Sequence, residues 1–392
     1  MQALFNCETC FKREECGGVT QLGDSISLLG CFEPCAGCTK KRRCNFTCPT
    51  NQLEFVKRIS AVGMMTPFSR ERFPSLEATR LPRYLPLMQG GVRFLRPVAL
   101  EFAALNLAEV FHGDRKHGIP FGRRPMTAES LRKEWGLRVD CGVILSGVSN
   151  DANLERLWAN HLAVDLAGQV ASLGVAGVIA PNFTFWKDKP RFHNLWNRYR
   201  MLRMCERFAA AGVPVVPHIN STHPADWDFW LGYLREHPEL TAVCMEFRTG
   251  NRKMDVRDRK IAALLDLSDR LGRYIHPIIV GSIDAASAVG SHFLFYTAID
   301  STPALKTIHR QRSAGSVDGF PLWRTEPVES GACMAEAFEG NYRDHYEGVM
   351  KRLTDGPCKR GIQERRPAER RVQEPLIGTI QSLGDWLPLS HS

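Results

Sequence analysis

The first 48 residues contain a dense cluster of cysteines with the spacing of metal ligands. Eight of the 13 cysteines in the 392-residue chain lie there. Two triplets share the spacing Cys-x2-Cys-x5-Cys, and two further cysteines can give each triplet a fourth thiolate ligand. The expected result is two four-cysteine metal sites, formed by Cys7, Cys10, Cys16, Cys31, Cys35, Cys38, Cys44 and Cys48.

The metal is expected to be iron in two 4Fe-4S clusters, with two zinc ions as the main alternative. Cys44-Asn-Phe-Thr-Cys48-Pro49 has the Cys-x3-Cys-Pro ending of bacterial ferredoxins, and the module resembles a two-cluster ferredoxin. The first triplet lacks this ending, which leaves the pairing of the eight cysteines open. Zinc is the alternative because the two Cys-x2-Cys pairs also have the spacing of the two knuckles of a zinc ribbon.

Part of the same cluster has the spacing of the radical S-adenosylmethionine enzymes. The segment Cys31-x3-Cys35-x2-Cys38 resembles their motif, which implies an open iron site at the mouth of a (βα) barrel. These enzymes usually carry an aromatic residue directly before the third cysteine, where this chain has Gly37. The additional cysteines also indicate closed sites, so an electron-transfer or structural cluster is favoured over S-adenosylmethionine chemistry.

A second group of candidate residues follows apolar segments in residues 139–350. In parallel barrels and open sheets, ligands bind at the carboxyl ends of the strands. His218 and Glu246 are predicted to be catalytic by general acid–base chemistry, because each ends an apolar segment where helix capping does not explain it. Asn182, Asn220 and Arg248 are predicted to bind substrate. The other polar residues at predicted strand ends are Ser146, Asn150, Asp151, Ser282, Asp284, Asp300 and Ser301.

The elements that must position these residues alternate between strand and helix. Apolar, β-branched runs predict strands over residues 142–148, 177–183, 213–219, 242–247, 276–281 and 293–299, and residues 85–90 and 25–29 are candidates for further strands. Helical periodicity predicts helices over residues 154–173, 191–211, 226–236 and 256–271. Repeated strand–helix units mean a parallel sheet covered by helices. The predicted fold is therefore an α/β (βα) barrel, with an open doubly wound parallel sheet as the alternative.

Charge and composition divide the chain into four parts. Residues 1–50 are the cysteine-rich module, and residues 51–138 are predicted to be a basic, proline-broken connector with 15 Lys and Arg against eight Asp and Glu. One helix is predicted inside the connector, over residues 99–111. The barrel-like domain spans residues 139–350, and a basic tail, expected to be disordered, spans residues 351–392. The net charge of the chain is +9, and the connector and the tail are its basic parts. These two parts are therefore the expected contacts for DNA or RNA.

The sequence excludes several common classes of protein. It has no Walker A loop, Gly-x-Gly-x-x-Gly fingerprint, His-Glu-x-x-His or Gly-x-Ser-x-Gly motif. Neither a secretory signal nor an apolar run long enough to cross a membrane is present, so a cytoplasmic location is expected. In that reducing compartment, clustered cysteines bind metal more often than they form disulfides.

Residues 140–290 resemble a bacterial and phage family known only as a domain of unknown function. The resemblance is carried by Pro181-Asn182-Phe183, by Trp196-Asn197-Arg198-Tyr199-Arg200 and by Gly212-Val213-Pro214-Val215-Val216-Pro217. It implies an origin on a phage, a plasmid or another mobile element, and members of the family tend to have Asp at the position of Asn182.

Together these patterns predict a metal-cluster protein that acts on or with nucleic acid in phage or mobile-element biology. Two alternatives differ in class. One is a radical or redox enzyme with its site at the barrel mouth, and the other is a zinc-stabilised module that binds nucleic acid or protein without catalysis.

Overall fold

Eight short parallel strands wind around a common axis and form the wall of an α/β barrel. The strands are β1 Tyr84–Met88, β2 Phe102–Asn106, β3 Gly142–Ser146, β4 Gly177–Ile179, β5 Val215–Val216, β6 Ala242–Glu246, β7 His276–Val280 and β8 Thr297–Asp300. The computed structural model describes residues 46–47, 52–65, 72–90, 94–113, 121–122, 126–186, 191–248, 254–317, 320–326 and 334–355.

The strands follow one another around the barrel in sequence order, and β1 pairs with β8. A parallel bridge between His218 and Cys244 links β5 to β6, so the sheet is nearly closed. Two backbone hydrogen bonds reinforce this link, from Ile219 N to Cys244 O at 2.8 Å and from Cys244 N to Pro217 O at 2.9 Å. The (βα) barrel prediction is therefore confirmed, and the alternative of an open doubly wound sheet is wrong.

Helices cover the outside of the barrel. They are α1 Gln52–Ala61, α2 Leu107–Val110, α3 Ala128–Glu134, α4 Asp151–Asn160, α5 Leu166–Ser172, α6 Arg191–Ala210, α7 Pro224–Glu236, α8 Met254–Leu271, α9 Ile283–Gly290, α10 Thr302–Ile308 and α11 Met334–Asp355. An antiparallel hairpin of β9 Gln311–Val317 and β10 Phe320–Thr325 follows α10. None of the helices in the described ranges is long and apolar enough to cross a membrane.

The barrel interior is filled by small and branched apolar side chains. Side chains of a strand alternate between its two faces, and the inward-facing set forms one buried cluster. Its strand residues are Leu85, Leu87, Ala104, Ile144, Ile179, Val216, Ala242, Cys244, Ile278, Val280 and Ile299. Leu76, which precedes β1, belongs to the same cluster and lies beside the first residue of β4. The outward-facing set packs against the helices in a second, larger cluster.

The barrel begins earlier in the chain than the sequence predicted. Strands β1 and β2 both lie within residues 51–138, the range assigned to a connector, and β1 matches the candidate strand over residues 85–90. The predicted helix over residues 99–111 is wrong, because the segment forms β2 followed by the single turn α2. Ala103, Ala104 and Leu105 favour a helix in isolation, but burial on both faces of a central strand overrides that preference.

Other predicted boundaries shift by smaller amounts. The predicted helix over residues 154–173 is two helices, α4 and α5, separated by a turn in which Asp165 adopts a left-handed conformation with φ 45°. Strand β5 is two residues long, because Pro214 and Pro217 flank it and cannot donate ladder hydrogen bonds. Helix α11 extends to Asp355, so the predicted tail over residues 351–392 begins inside a helix, and its remainder lies outside the described residues.

Candidate active site at the mouth of the barrel

A ring of buried polar side chains lies at the carboxyl-terminal end of the barrel interior. Each member follows the last apolar interior residue of its strand by two positions, as His218 follows Val216 and Glu246 follows Cys244. We call these five residues the polar ring, and each is 9% exposed or less: Asn106, Ser146, His218, Glu246 and Ser301. The ring therefore separates the apolar interior from the end of the barrel where α/β barrels bind ligands.

His218 is the most deeply buried titratable member of the polar ring. Burial lowers the pKa of its imidazole to about 3, and the positive charge of Lys260 lowers it further, against a smaller opposing effect of Asn220. Asn220 is therefore close to the ring, yet neither ring nitrogen makes a hydrogen bond of normal geometry within the described part of the chain. His218 is thus a neutral imidazole at physiological pH, which has one N–H donor and one acceptor nitrogen.

Glu246 and Arg248 form a tight turn at the end of β6. The backbone N–H of Arg248 donates a hydrogen bond to the Glu246 carboxylate. The Arg248 side chain then crosses Gly281, where an added Cβ atom would lie 2.1 Å from Arg248 Cγ. Arg248 Nη2 reaches the hydroxyl of Ser301 beyond β8 at 3.3 Å. Arg248 consequently spans the ends of three neighbouring strands. Gly281 has φ 87° and no side chain, so it leaves space for the Arg248 side chain to pass.

Asn182 and Asn220 lie in the loops after β4 and β5, at the same end of the barrel. Asn182 Oδ1 accepts a hydrogen bond from the Ser149 backbone at 3.1 Å, and Asn220 Nδ2 donates to the carbonyl of Phe183 at 2.9 Å. Each amide therefore ties its loop to the preceding βα loop. These bonds hold the rim of the barrel together, and the predicted role of both residues in substrate binding stays a prediction.

Most other polar residues at the strand ends have a local structural role. Asn150 and Ser282 cap α4 and α9 by accepting backbone hydrogen bonds from Asn153 and Ala285. Asp151 accepts a hydrogen bond from Thr184 Oγ1 at 2.6 Å. The remaining two carboxylates are paired, Asp284 with Arg352 and Asp300 with His345.

Asn106 is the member of the polar ring that sequence reasoning missed, because its segment was predicted to be helical. Its side chain caps α2 by accepting from the backbone of Ala108 at 3.0 Å, and its amide donates to the carbonyl of Val148 at 3.0 Å. An Asn directly after an apolar run and before a short helix is the signal that could have indicated both the end of β2 and the cap.

The eight cysteines lie outside the described residues, but two residues between Cys44 and Cys48 are placed. The Thr47 backbone N–H donates to Nδ1 of His193 on α6 at 3.1 Å, and Thr47 is fully buried. The Phe46 ring packs edge-on against His193 at 4.9 Å between centroids. Burial, with the nearby charges of Arg200 and Arg58, lowers the pKa of His193 to about 3, so this imidazole is a neutral acceptor. Chain segment 46–47 is thereby anchored on the first turn of α6, directly after the loop from β4.

The arginines of residues 51–138 that the structure describes are largely engaged within the protein. Four of them form ion pairs: Arg58 with Glu54, Arg80 with Glu77, Arg96 with Glu339 and Arg138 with Asp140. Arg132 is buried and donates to four backbone carbonyls, those of Ala128, Cys141, Leu173 and Gly174. These arginines already have partners within the protein, which weakens the argument for this segment as the nucleic-acid contact.

Within the described ranges, no group of three or more His, Cys, Asp or Glu side chains is arranged to hold a metal ion. The barrel mouth therefore supplies a carboxylate, a neutral imidazole and a guanidinium from this part of the chain. Their chemistry is proton transfer and binding of an anionic group. The prediction of four-cysteine metal sites concerns residues outside these ranges and stays a prediction.

Comparison with known proteins gives a distant similarity. No protein-family model matches the chain. A curated relative, the "Gene 1 protein" of Mycobacterium phage D29, is 24% identical over 173 residues, which is 42% of this chain. The match covers 62% of the length of that phage protein. The chain is therefore similar to a phage protein over part of its length, and the similarity assigns neither a family nor a reaction.

Proposed function

We propose that the mouth of the barrel is the active site of an enzyme that performs acid–base chemistry on a small polar substrate with an anionic group. The observation that carries this proposal is the polar ring, and above all the buried His218 imidazole without a hydrogen-bond partner of normal geometry among the described residues. A buried polar group left unpaired costs about 1–3 kcal/mol, so such groups are normally paired. A substrate at the mouth would provide the partner.

His218 is suited to orient the substrate. Because its pKa is about 3, the ring carries no charge near neutral pH and presents one N–H donor and one acceptor nitrogen. It lies level with Cys244 on the neighbouring strand β6, and Glu246 is two residues, or about 7 Å, further toward the mouth. A substrate that contacts both residues would therefore extend from His218 toward the mouth.

Glu246 is the proposed proton acceptor, and Arg248 is the proposed anion-binding group. The hydrogen bond from the Arg248 backbone fixes the Glu246 carboxylate, which is a requirement for a general base. The Arg248 guanidinium is a planar donor that matches carboxylate and phosphate groups, and its hydrogen bond to Ser301 involves a neutral hydroxyl. Glu246 is the last residue of β6 and Arg248 follows two positions later, so both side chains can contact one small molecule.

A ligand screen with matched variants tests this proposal. The full-length protein is heated with inorganic phosphate, nucleobases, nucleoside 5′-monophosphates and C4 dicarboxylates, and the melting temperature is recorded. Saturating ligand at 100 times its Kd is expected to stabilise the protein by about 2.7 kcal/mol, which corresponds to several degrees. The increase is expected to be lost in Glu246→Gln and His218→Gln and kept in Thr302→Ala, a control outside the barrel interior. No increase with any compound, or an equal increase in all variants, contradicts the proposal.

We also propose that the N-terminal cysteines bind two metal centres next to this site. The contacts of Phe46 and Thr47 with His193 support the position, because both residues lie between two predicted ligands, Cys44 and Cys48. The expected centres are 4Fe-4S clusters, with zinc as the alternative. The neutral His193 and the buried Thr47 would anchor the module on α6.

Metal analysis after anaerobic purification tests the second proposal. Two clusters give about eight iron and eight sulfide per chain and a brown protein, and two zinc ions give a colourless one. Cys38→Ser is expected to lower the metal content by up to half, whereas Cys141→Ser, a buried cysteine of the barrel domain, is expected to leave it unchanged. Wild-type protein without bound iron or zinc contradicts it.

A further inference from the structure

The β9–β10 hairpin carries an unusual pair of like charges. Arg312 and Arg324 lie directly opposite each other on its two antiparallel strands. Their side chains share one face, because Trp323 points to the other face, where its ring is 6.3 Å from His345. The Arg324 side chain is exposed, and the Arg312 side chain is 38% exposed. The arginine pair is therefore on the solvent side of the hairpin.

The local charge of this face is not balanced. Glu326 is the acidic residue that pairs with Arg312, at 3.4 Å, and both side chains are more than a third exposed. Arg310 adds a third positive charge at the start of the hairpin, where its backbone has φ 53°, a conformation that is uncommon outside glycine. Within the described ranges, the hairpin and the residues next to it thus carry three arginines, Arg310, Arg312 and Arg324, and one glutamate, Glu326. Like charges directly opposite each other destabilise a strand pair, so a bound anion would relieve a cost built into the free protein.

The hairpin is held firmly by α11. Asn341 donates to the carbonyl of Gln311 at 2.7 Å and accepts from the backbone of Ser313 at 3.0 Å. The Asn341 amide also contacts the hydroxyl of Thr307 at 3.1 Å. The arginine face is consequently presented on a fixed ribbon that projects its side chains to solvent.

We propose that this face binds the sugar-phosphate backbone of nucleic acid. Arginine is the side chain whose planar fork best matches phosphate, and a two-stranded ribbon has the dimensions that the major groove of a duplex admits. The contrast within the protein supports the assignment, since Arg80, Arg96 and Arg138 of the earlier basic segment each have a carboxylate partner. The two opposed arginines of the hairpin have one carboxylate between them in the described ranges, that of Glu326. The hairpin face and the barrel mouth are formed by different residues, so binding at the hairpin does not depend on the chemistry proposed for the mouth.

The test is the affinity of the full-length protein for a fluorescent 20-base-pair DNA duplex as a function of salt. Replacing both residues in Arg312→Gln/Arg324→Gln is expected to weaken binding about tenfold or more at low salt. It is also expected to reduce the slope of log K against log salt by about 1.8, because two phosphate contacts are lost. Glu326→Gln removes the carboxylate that pairs with Arg312 and is expected to tighten binding. A misfolded variant would bind less tightly, so this gain in affinity cannot result from misfolding.

The control is Arg259→Gln on α8, an arginine that is 68% exposed and paired with Asp255. It removes the same type of charge and is expected to change the affinity less than twofold. An unchanged affinity and slope in the double variant, or weaker binding by Glu326→Gln, overturns the proposal. Competition by vesicles of anionic phospholipid as effective as competition by unlabelled duplex also overturns it, because the face would then recognise a membrane surface.

Discussion

His218 with Glu246, and His345 with Asp300, place the same two functional groups on opposite sides of the barrel wall. Inside, the His218 imidazole has no hydrogen-bond partner of normal geometry in the described ranges, and Glu246 is fixed by a backbone N–H. Outside, His345 Nε2 on α11 contacts Asp300 Oδ2 at 2.8 Å, and Thr302 donates to the other carboxylate oxygen at 3.0 Å. The His345–Asp300 pair is thus engaged in the fold, whereas the His218 imidazole lacks such a bond among the described residues.

The difference follows from the two-residue repeat of a strand. Asp300 is one residue past Ile299, which faces the interior, so Asp300 faces α11, whereas Ser301 faces the barrel mouth. Burial would raise the pKa of Asp300, but its bonds to His345 and Thr302 outweigh that effect and hold the pKa below its ordinary value. Asp300 therefore stabilises the fold, whereas its neighbour Ser301 faces the end of the barrel where a substrate would bind.

The largest expected effect on stability is that of Asp300→Asn. Removing one partner of a buried pair leaves the other without compensation, and we expect the free energy of unfolding to fall by about 3 kcal/mol. Glu246→Gln keeps the size of the side chain and the acceptor for the Arg248 backbone, so we expect a change below about 1 kcal/mol. Urea denaturation followed by circular dichroism measures both. A larger loss for Glu246→Gln would mean that the interior pair, too, stabilises the fold.

His218 contributes to the pH dependence of stability, as the buried His193 does. In the unfolded chain a histidine takes up its proton near pH 6.5, whereas folded His218 stays neutral down to about pH 3. The unfolded state therefore binds the extra proton in this window, and stability falls as the pH is lowered through it, by about 1.4 kcal/mol per pH unit.

The check is denaturation of wild type and His218→Asn at several pH values between about 4 and 6. The variant is expected to lose this contribution, so its stability falls less steeply than that of wild type. Parallel curves would show that His218 titrates alike in both states and is not buried as described.

Gly281→Ala is expected to cost about 2 kcal/mol and to disturb Arg248. Its backbone has φ 87°, and the new Cβ would collide with the Arg248 side chain. Gly212→Ala is the matched control, because Gly212 has φ 79° and nothing within 4 Å of an added Cβ. The control is expected to cost about 1 kcal/mol from the backbone alone. Equal costs in urea denaturation would argue against the path of Arg248 across Gly281.

The smallest effects are expected from two neighbouring hydroxyls. Thr302→Ala removes the bond to Asp300 and is expected to cost about 1 kcal/mol. Ser301→Ala removes the 3.3 Å contact with Arg248 and is expected to cost less than about 0.5 kcal/mol. In the melting-temperature screen, Ser301→Ala is expected to diminish the response to an anionic ligand, and Thr302→Ala to leave it intact. The opposite ranking would place the ligand outside the barrel.

Part of this arrangement is visible in the sequence. The apolar runs at β3, β6 and β7 are long and bounded by polar residues, and they predicted strands within two residues of the observed ends. A polar residue at the end of an apolar run was the pattern that indicated His218 and Glu246 as candidate site residues. Strand β2 was missed because Ala and Leu favour a helix when neighbours are ignored, and Asn106 was missed with it.

Contacts between distant parts of the chain were beyond sequence reasoning. Thr47 and His193 are 146 residues apart, and nothing in either segment indicates their pairing. The ion pairs of the basic segment are a second example, since Arg96 finds its carboxylate on α11, in Glu339. Charge counts alone therefore placed the polyanion contact in residues 51–138, whereas the exposed like-charge pair is in the hairpin.

The most direct test of the central claim is the affinity of the barrel for the compound that raises its melting temperature most. Isothermal titration calorimetry is performed on wild type, His218→Gln, Glu246→Gln and Asp300→Asn, each below its own melting temperature. We expect binding to be at least 30-fold weaker in the two interior variants, a loss of about 2 kcal/mol, and unchanged in Asp300→Asn. Unchanged binding in both interior variants, with loss in Asp300→Asn, would contradict it.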